Sequence, residues 1–269
     1  MKESKSSQQQ KKLNVLLIGD SCIDQYIYGT CDRLNPEAPV PILKQSKEIK
    51  ITRGMAFNVK DNLKKLGADV SIRTGGKPCI KTRYVDTRSG QQVLRVDEDF
   101  ISPRCNSSKL QLSNYDAIVI SDYNKGFVDL QVILDIIKIA KNKPIFIDTK
   151  IKDLMLMDKP NVFVKINETE HSQLISYCSN LIVTQGSKGA KFKNMTFSLS
   201  KSVDVADVCG AGDTFLAALT VKYLETKDIF KAINFANAAA SISVQHEGIY
   251  APTRQEVDCL YETEYNNCP

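Results

Sequence analysis

No stretch of the sequence stays apolar for the ~20 residues that a membrane span requires, and the N-terminus lacks the apolar core of a secretory leader. Only two histidines are present, and the eight cysteines (22, 31, 79, 105, 178, 209, 259 and 268) contain no Cys-x-x-Cys pair. A zinc site and a secreted disulfide framework therefore drop out, and reduced thiols in a cytoplasmic protein are the expectation. The Asn-x-Ser/Thr triplets at Asn106, Asn167 and Asn194 then count as chance matches. Gly-x-Gly-x-x-Gly is missing, because Phe215 stands where its last glycine would fall, and Gly-x4-Gly-Lys-Ser/Thr occurs nowhere. A dinucleotide fingerprint and a Walker loop are thereby excluded. The net charge of +5 is spread thinly. The one dense basic stretch, residues 1–12, reads as a disordered tail, so no nucleic-acid partner is expected.

What the chain does have is bulk and one unusual helix mouth. With 269 residues, 42% of them hydrophobic, it can bury a full core. Neither an internal repeat nor a linker divides residues 13–269, which are expected to form one α/β domain. The mouth is Asp207-Val-Cys209-Gly210-Ala211-Gly212-Asp213-Thr214-Phe215, followed by an apolar helical pattern without a breaker. Two glycines around one small residue allow a tight turn whose amides point the same way, backed by the positive end of a helix dipole. Such a turn suits a phosphate, and a carboxylate beside it, Asp213, suits a general base that deprotonates an attacking hydroxyl. An aspartate that merely caps a helix after a glycine turn is the alternative.

The remaining signals follow chain order. Leu13 to Ile18 is an apolar run ending in Gly-Asp, the pattern of a buried first strand, and Asp20 and Asp24 are expected on the loop beyond it. Ligands of open α/β sheets sit at carboxyl strand ends, where Asp24 can hold sugar hydroxyls or simply form a turn. Short extended pieces at Tyr26–Tyr28 and Val40–Lys44 flank three prolines between residues 36 and 41, which forbid helix. A helix over 60–66 ends at Gly67. Strands over 81–86 and 91–97 flank the turn at Arg88-Ser-Gly90 and carry Arg83 and Arg95, whose forks suit phosphate oxygens, although solvated charges would look the same. Strand 116–121, helix 130–141 and strand 144–148 argue for a parallel sheet with right-handed crossovers, and Lys150 stands just past the last of these. Asn167 and Glu170 fall on one helix face, as an N-cap pair would. Strand 181–184 runs into a turn with Thr184, Gly186 and Gly189, and Asn237 sits in an alanine-rich helix.

Asp207-Val-Cys-Gly-Ala-Gly-Asp-Thr resembles the C-terminal signature of the phosphofructokinase-B/ribokinase family of sugar kinases. Arg53-Gly54-Met55-Ala-Phe-Asn58 resembles its N-terminal Gly-Gly-Ala-x-Asn signature, with Met55 in place of the second glycine. Asn-Pro-Glu-Ala-Pro-Val-Pro41, Lys81-Thr-Arg83 with Gln91-Gln-Val-Leu-Arg95-Val-Asp97, and Ser121-Asp-Tyr-Asn-Lys-Gly126 are similar to segments of the heptose 7-phosphate kinase branch. The resemblance implies a ribokinase-like, mostly parallel sheet flanked by helices, with a small β lid over about 25–46 and 79–98. It implies transfer of the ATP γ-phosphate to the anomeric hydroxyl of D-glycero-D-manno-heptose 7-phosphate, a step in making lipopolysaccharide.

In that family Asp213 would be the base, and Gly210, Ala211 and Gly212 would form the anion hole. Asp24, Asn58 and Gly54 would meet the sugar, Arg83 and Arg95 its phosphate, and Lys150 would bridge sugar and phosphate groups at the strand end. Asn167, Glu170, Thr184, Gly186, Gly189 and Asn237 would serve ATP, with Glu170 ordering Mg²⁺ through water. A homodimer through the lid is implied as well. The chain departs from the family in two places, at Met55 and in passing almost directly from Ile72 to Cys79 where relatives carry more α/β structure. These departures keep two alternatives open: a kinase for another sugar or nucleoside, and a non-catalytic sugar- or nucleotide-binding relic. Some relatives carry a fused nucleotidyltransferase domain, and adenylyl transfer is expected to lie outside this chain.

Overall fold

The computed structural model describes residues 12–199 and 203–265, so the expected tail falls outside the described residues apart from Lys12, whose ammonium pairs with Asp69. Strand β1 (Asn14–Gly19) sets the layering. Val15 and Leu17 enter one buried cluster, while Leu16 and Ile18 enter another. A strand buried on both faces belongs inside a parallel sheet, where alternate side chains serve opposite layers.

That sheet also contains β4 (Asp69–Arg73), β7 (Ala117–Ser121), β8 (Ile145–Asp148), β9 (Val162–Asn167), β10 (Leu181–Thr184), β11 (Ala190–Phe192) and β12 (Met195–Phe197). Its order is β12-β11-β10-β9-β8-β7-β1-β4, parallel from β4 through β10 and antiparallel for the last two. The chain leaves β1 first towards β4 and later towards β7. The strand direction of winding reverses there, and a crevice opens at the carboxyl ends of β1 and β7, the usual ligand position in such sheets.

Helix α2 (Leu130–Ala140) covers the Leu16 face with Ile133 and Ile136. Asp129 caps it by accepting from the Val132 amide at 2.8 Å, and Lys141, in the left-handed region at φ 56°, ends it. The other face is covered by α1 (Ala56–Lys65), α4 (Ala211–Thr226), α5 (Ile229–Ser243) and α6 (Arg254–Tyr265). Helix α4 is buried without interruption from Asp213 to Val221, because it lies against the sheet with α1 and α5 on its flanks. One turn, α3 (Glu168–His171), follows β9.

A second sheet of four strands, in the order β3-β2-β5-β6, comprises β2 (Ser21–Leu34), β3 (Pro41–Met55), β5 (Cys79–Asp86) and β6 (Gln92–Glu98). It starts earlier and extends further than the expected lid segment 25–46, which proves to be two long strands over 21–34 and 41–55. Asp24 accordingly lies within β2, not on a loop. The prolines bend the chain between β2 and β3, and Pro41 opens β3, a position where its missing N–H costs nothing. The edge strand β4 is connected to β5 by residues 74–78 alone, in keeping with the short path read between Ile72 and Cys79.

Candidate active site

The turn before α4 is made by Gly210, which sits at φ 80° with no side-chain cap above the helix. The Ala211 amide closes the turn onto the Val208 carbonyl at 3.3 Å. Among the described residues, the amides of Gly210, Gly212 and Asp213 donate to nothing. Three unclaimed N–H groups at the mouth of a 16-residue helix are a ready anion site. A Cβ at Gly212 would stand 2.7 Å from the Lys165 ammonium, so a larger residue there would displace that charge from the turn.

Asp213 points into the same crevice and is 4% exposed. Its Oδ1 accepts from the Tyr123 hydroxyl at 2.6 Å, and its Oδ2 accepts from the Asn58 side-chain amide at 3.1 Å. Burial pushes the Asp213 carboxyl up to about 6, helped by the charge of Asp148 and opposed by the Tyr123 and Asn58 hydrogen bonds and the Lys165 ammonium. A carboxylate poised there accepts a proton near neutral pH far better than an exposed aspartate.

Each partner is held by its own local structure. Asn58 lies in the first turn of α1, next to Asn62, whose side chain donates to the Asn58 carbonyl at 2.8 Å. Tyr123 follows β7, and its amide donates to Asp20 Oδ2 at 2.8 Å. Asp20 also accepts from the amides of Lys125 and Phe127 at 3.1 and 3.2 Å, so this aspartate pins the whole turn after β7. Lys165, near the end of β9, is 4% exposed and pairs with Asp148 Oδ2 at 2.8 Å, while Asp148 Oδ1 is buried without a partner.

On the small sheet, Asp24 accepts from Arg83 Nη1 at 2.5 Å, and the Arg83 guanidinium lies 5.2 Å over the Tyr26 ring. Gly54 is placed against this carboxylate so tightly that a Cβ would meet Asp24 Oδ2 at 2.2 Å and Cys22 Sγ at 2.8 Å. The register Asp24↔Lys81, Tyr26↔Arg83 and Arg83↔Arg95 sets Lys81 and both arginines on the face that carries Asp24. Of the two arginines, only Arg83 turns inward. Arg95 is bound to Asp97 at 2.6 Å and is 46% exposed, so the expectation that it reaches the cleft is not met in this conformation.

Met55, the residue in place of the expected glycine, sits at φ 58° and ψ −122°, where a side chain is strained. Its side chain is buried with Cys22 and Cys79, and Tyr123 packs against this group. The glycine pattern thus marks a backbone conformation, which Met55 adopts while tucking its thioether into a core.

The remaining candidates gather on the other side of the anion turn. Thr184, Gly186, Gly189 and Asn237 line one cavity of about 230 Å³ together with Ala211 and Gly212. Gly189 is held at φ 85° with no room for a Cβ, which would lie 2.0 Å from the Phe197 carbonyl. The Asn237 amide donates to that same carbonyl at 2.8 Å. Asn167 and Glu170 form a reciprocal capping box on α3, at 2.8 and 2.9 Å, and the other Glu170 oxygen pairs with Lys150. Their spacing therefore serves the helix start, and Lys150 faces Glu170 instead of the Asp24 side of the crevice.

Among the described residues, no group of three or more His, Cys, Asp or Glu side chains could cage a metal. The donor set fits a Mg²⁺ that arrives with phosphates and needs only one or two carboxylates. The carboxylates available for it are Asp148, whose Oδ1 is buried without a partner, and Glu170 beside Lys150. Three buried groups were not singled out from sequence: Lys165, Asp148 and the Tyr123 hydroxyl. Tyr123 and Asp148 lie in the segments Ser121–Gly126 and Asp148-Thr-Lys150 that match the family branch, and Lys165 stands out as a lysine inside the apolar run Val162-Phe-Val-Lys-Ile166, but none of the three was given a role.

Residues 58–256 match the family model described as pfkB family carbohydrate kinase. Curated relatives include the bifunctional protein HldE of Helicobacter acinonychis, 32% identical over 90% of this chain, and that of Campylobacter jejuni strain RM1221, 31% identical over 92%. The chain spans 65% and 64% of the length of these two relatives. Among solved structures, Arabidopsis thaliana ribokinase in complex with ribose and ATP superposes with a TM-score of 0.67 at 18% identity, covering 93% of this chain and 99% of that one. Phosphofructokinase-2 from Escherichia coli gives 0.70 at 15% identity, covering 94% and 98%. At those identities the likeness is one of fold.

Proposed function

The chain belongs to the pfkB family of carbohydrate kinases, and from that premise we propose that it phosphorylates the anomeric hydroxyl of a heptose 7-phosphate, with ATP as donor and Mg²⁺ as its companion ion. The observation that carries the chemistry is the juxtaposition of Asp213 with the unclaimed Gly212 and Asp213 amides at one helix mouth. ATP supplies an electrophilic phosphorus and a leaving ADP. Thr184, Gly186, Gly189 and Asn237 are proposed to bind its nucleoside end, and the Gly210–Gly212 turn to hold the phosphoryl group in transit. Asp213 takes the proton of the attacking hydroxyl, with Asn58 and Asp24 orienting the sugar. Lys165, buried beside Gly212, adds positive charge where negative charge develops.

The sugar-phosphate reading draws support from the shared face of Lys81, Arg83, Arg95 and Asp24, which offers cations beyond the hydroxyl-binding acid. The exposed apolar side chains Leu34, Ile49, Ile51, Leu94 and Val96 of the small sheet support a homodimer through it. An ATP-consumption assay over a panel of sugars and sugar phosphates tests the substrate. Turnover confined to unphosphorylated sugars would remove the heptose phosphate. Asp213→Asn is expected to lower kcat by at least ~10²-fold with the KM for ATP little changed, and near wild-type turnover would remove the assigned base.

A further inference from the structure

We propose that Tyr123 is a positioning residue for the phosphoryl acceptor step: its hydroxyl pins Oδ1 of Asp213 and leaves Oδ2 as the oxygen that receives the proton. The proposal rests on the kinase reading of the crevice. The two contacts on the carboxylate are unequal. Tyr123 holds Oδ1 at 2.6 Å, in the range of a strong charge-assisted bond, whereas Asn58 touches Oδ2 at 3.1 Å and belongs to an amide that can turn to a sugar hydroxyl. Oδ2 is therefore the oxygen an incoming hydroxyl can reach. In the step itself the hydroxyl proton passes to Oδ2, and the O–H electron pair becomes the new O–P bond. The bond from phosphorus to the bridging oxygen breaks, and its electrons leave with ADP.

Tyr123 is suited to hold and not to react. Its amide is fixed by Asp20, and its ring packs against Cys22, Met55 and Cys79. Burial and the neighbouring Asp213 charge keep the phenol far above its ordinary value, so it stays a donor across the working range. Other groups also face Asp213. Lys165 from β9 favours the carboxylate, and Asp148 from β8 opposes it. Helix α1 contributes the neutral Asn58, while β2 brings the Cys22 thiol and the passing Lys150 ammonium lies 5.7 Å over the Tyr123 ring.

The test is Tyr123→Phe, which keeps the ring and removes the hydroxyl. A donor lost from a carboxylate favours the protonated acid, so the carboxyl must titrate higher. In the wild type the acid limb of kcat/KM is expected near pH 6. In the variant it should move up by about one pH unit, with the KM for ATP unchanged and part of the lost rate regained above pH 8. A residue that only supports the fold would lower the melting temperature or the rate without moving that limb. A second measurement does not depend on turnover: carbon-13 NMR titration of the Asp213 carboxyl, assigned by its loss in Asp213→Asn. An upward shift in Tyr123→Phe upholds the proposal, and an unchanged titration overturns it. Absence of turnover by the wild type on every sugar and sugar phosphate would instead overturn the kinase reading, with the titration still deciding the contact.

Discussion

Replacing Met55 by glycine and by alanine separates two opposing effects at one position. The backbone at φ 58° and ψ −122° costs a non-glycine residue about 1–3 kcal/mol, a strain that alanine retains and glycine sheds. Both variants lose the buried thioether and its packing against Cys22 and Cys79, a loss of about 2–5 kcal/mol for a methionine truncated in a core. Both are therefore expected to be less stable than the wild type, but not equally so. At an ordinary helix position glycine is the worse residue, by about 1 kcal/mol. At residue 55 the order reverses, and glycine is expected to exceed alanine by about 1–2 kcal/mol. For a chain of this size that corresponds to roughly 2–6 °C in melting temperature. Thermal unfolding followed by circular dichroism, with both variants at one scan rate, measures the gap. An alanine variant as stable as the glycine variant, or more so, would refute the claim that Met55 is strained.

Other substitutions reach the site from different sides. Lys165→Met removes one half of a buried ion pair and should cost about 3–5 kcal/mol by leaving Asp148 uncompensated. Combining it with Asp148→Leu should recover most of that in urea titrations, and no recovery would refute the pairing as the cause. Gly54→Ala drives a methyl group into the Asp24 carboxylate and is expected to raise the sugar KM at least tenfold through a shifted Asp24–Arg83 pair, with the KM for ATP unchanged. Equal sugar KM values in steady-state assays would count against Asp24 as a sugar ligand. Because burial raises the Asp213 carboxyl to about 6, its protonated form favours the fold below pH 4 and that contribution is lost as pH rises through 6. Asp213→Asn, which has no charge to bury, should thus gain stability relative to wild type at pH 8 and little at pH 4. A pH-independent difference in melting temperature would refute this.

The parallel strands of the main sheet were readable where they are short apolar runs, such as Leu13–Ile18 and Leu181–Thr184, because burial on both faces leaves little else for such runs to be, whereas the antiparallel β11 and β12 were not expected. Strands β2 and β3 were read too short for the converse reason: β3 is exposed along most of its length and lacks the burial alternation that marks a half-buried strand, whereas β6, expected over 91–97, lies over Gln92–Glu98. Helix α6 gave no warning either, since Val257 and Tyr261 are its only buried side chains. In the candidate site, the family resemblance pointed to Asp213, Asn58 and the cavity-lining residues through motifs that are local in sequence. It could not show that Lys165, Asp148 and Tyr123 converge, because that meeting is made by three neighbouring strands and the crossovers between them. Nor could it tell Arg83 from Arg95, which are register partners and differ only in which acid each one finds.

The helices that close the Val15 face of the main sheet, apart from α1, are all supplied by residues 211–265, whereas the Leu16 face is complete once β10 has formed. On the ribosome the two sides must therefore mature at different times. A growing chain of some two hundred residues has one finished flank and one bare oily one, and it is in that interval that a chaperone or a neighbouring nascent chain has something to grip. On the proposed reading the base and the anion turn ride on the first of these late helices, so the crevice cannot be assembled until residues 211–265, about a fifth of the sequence, have docked.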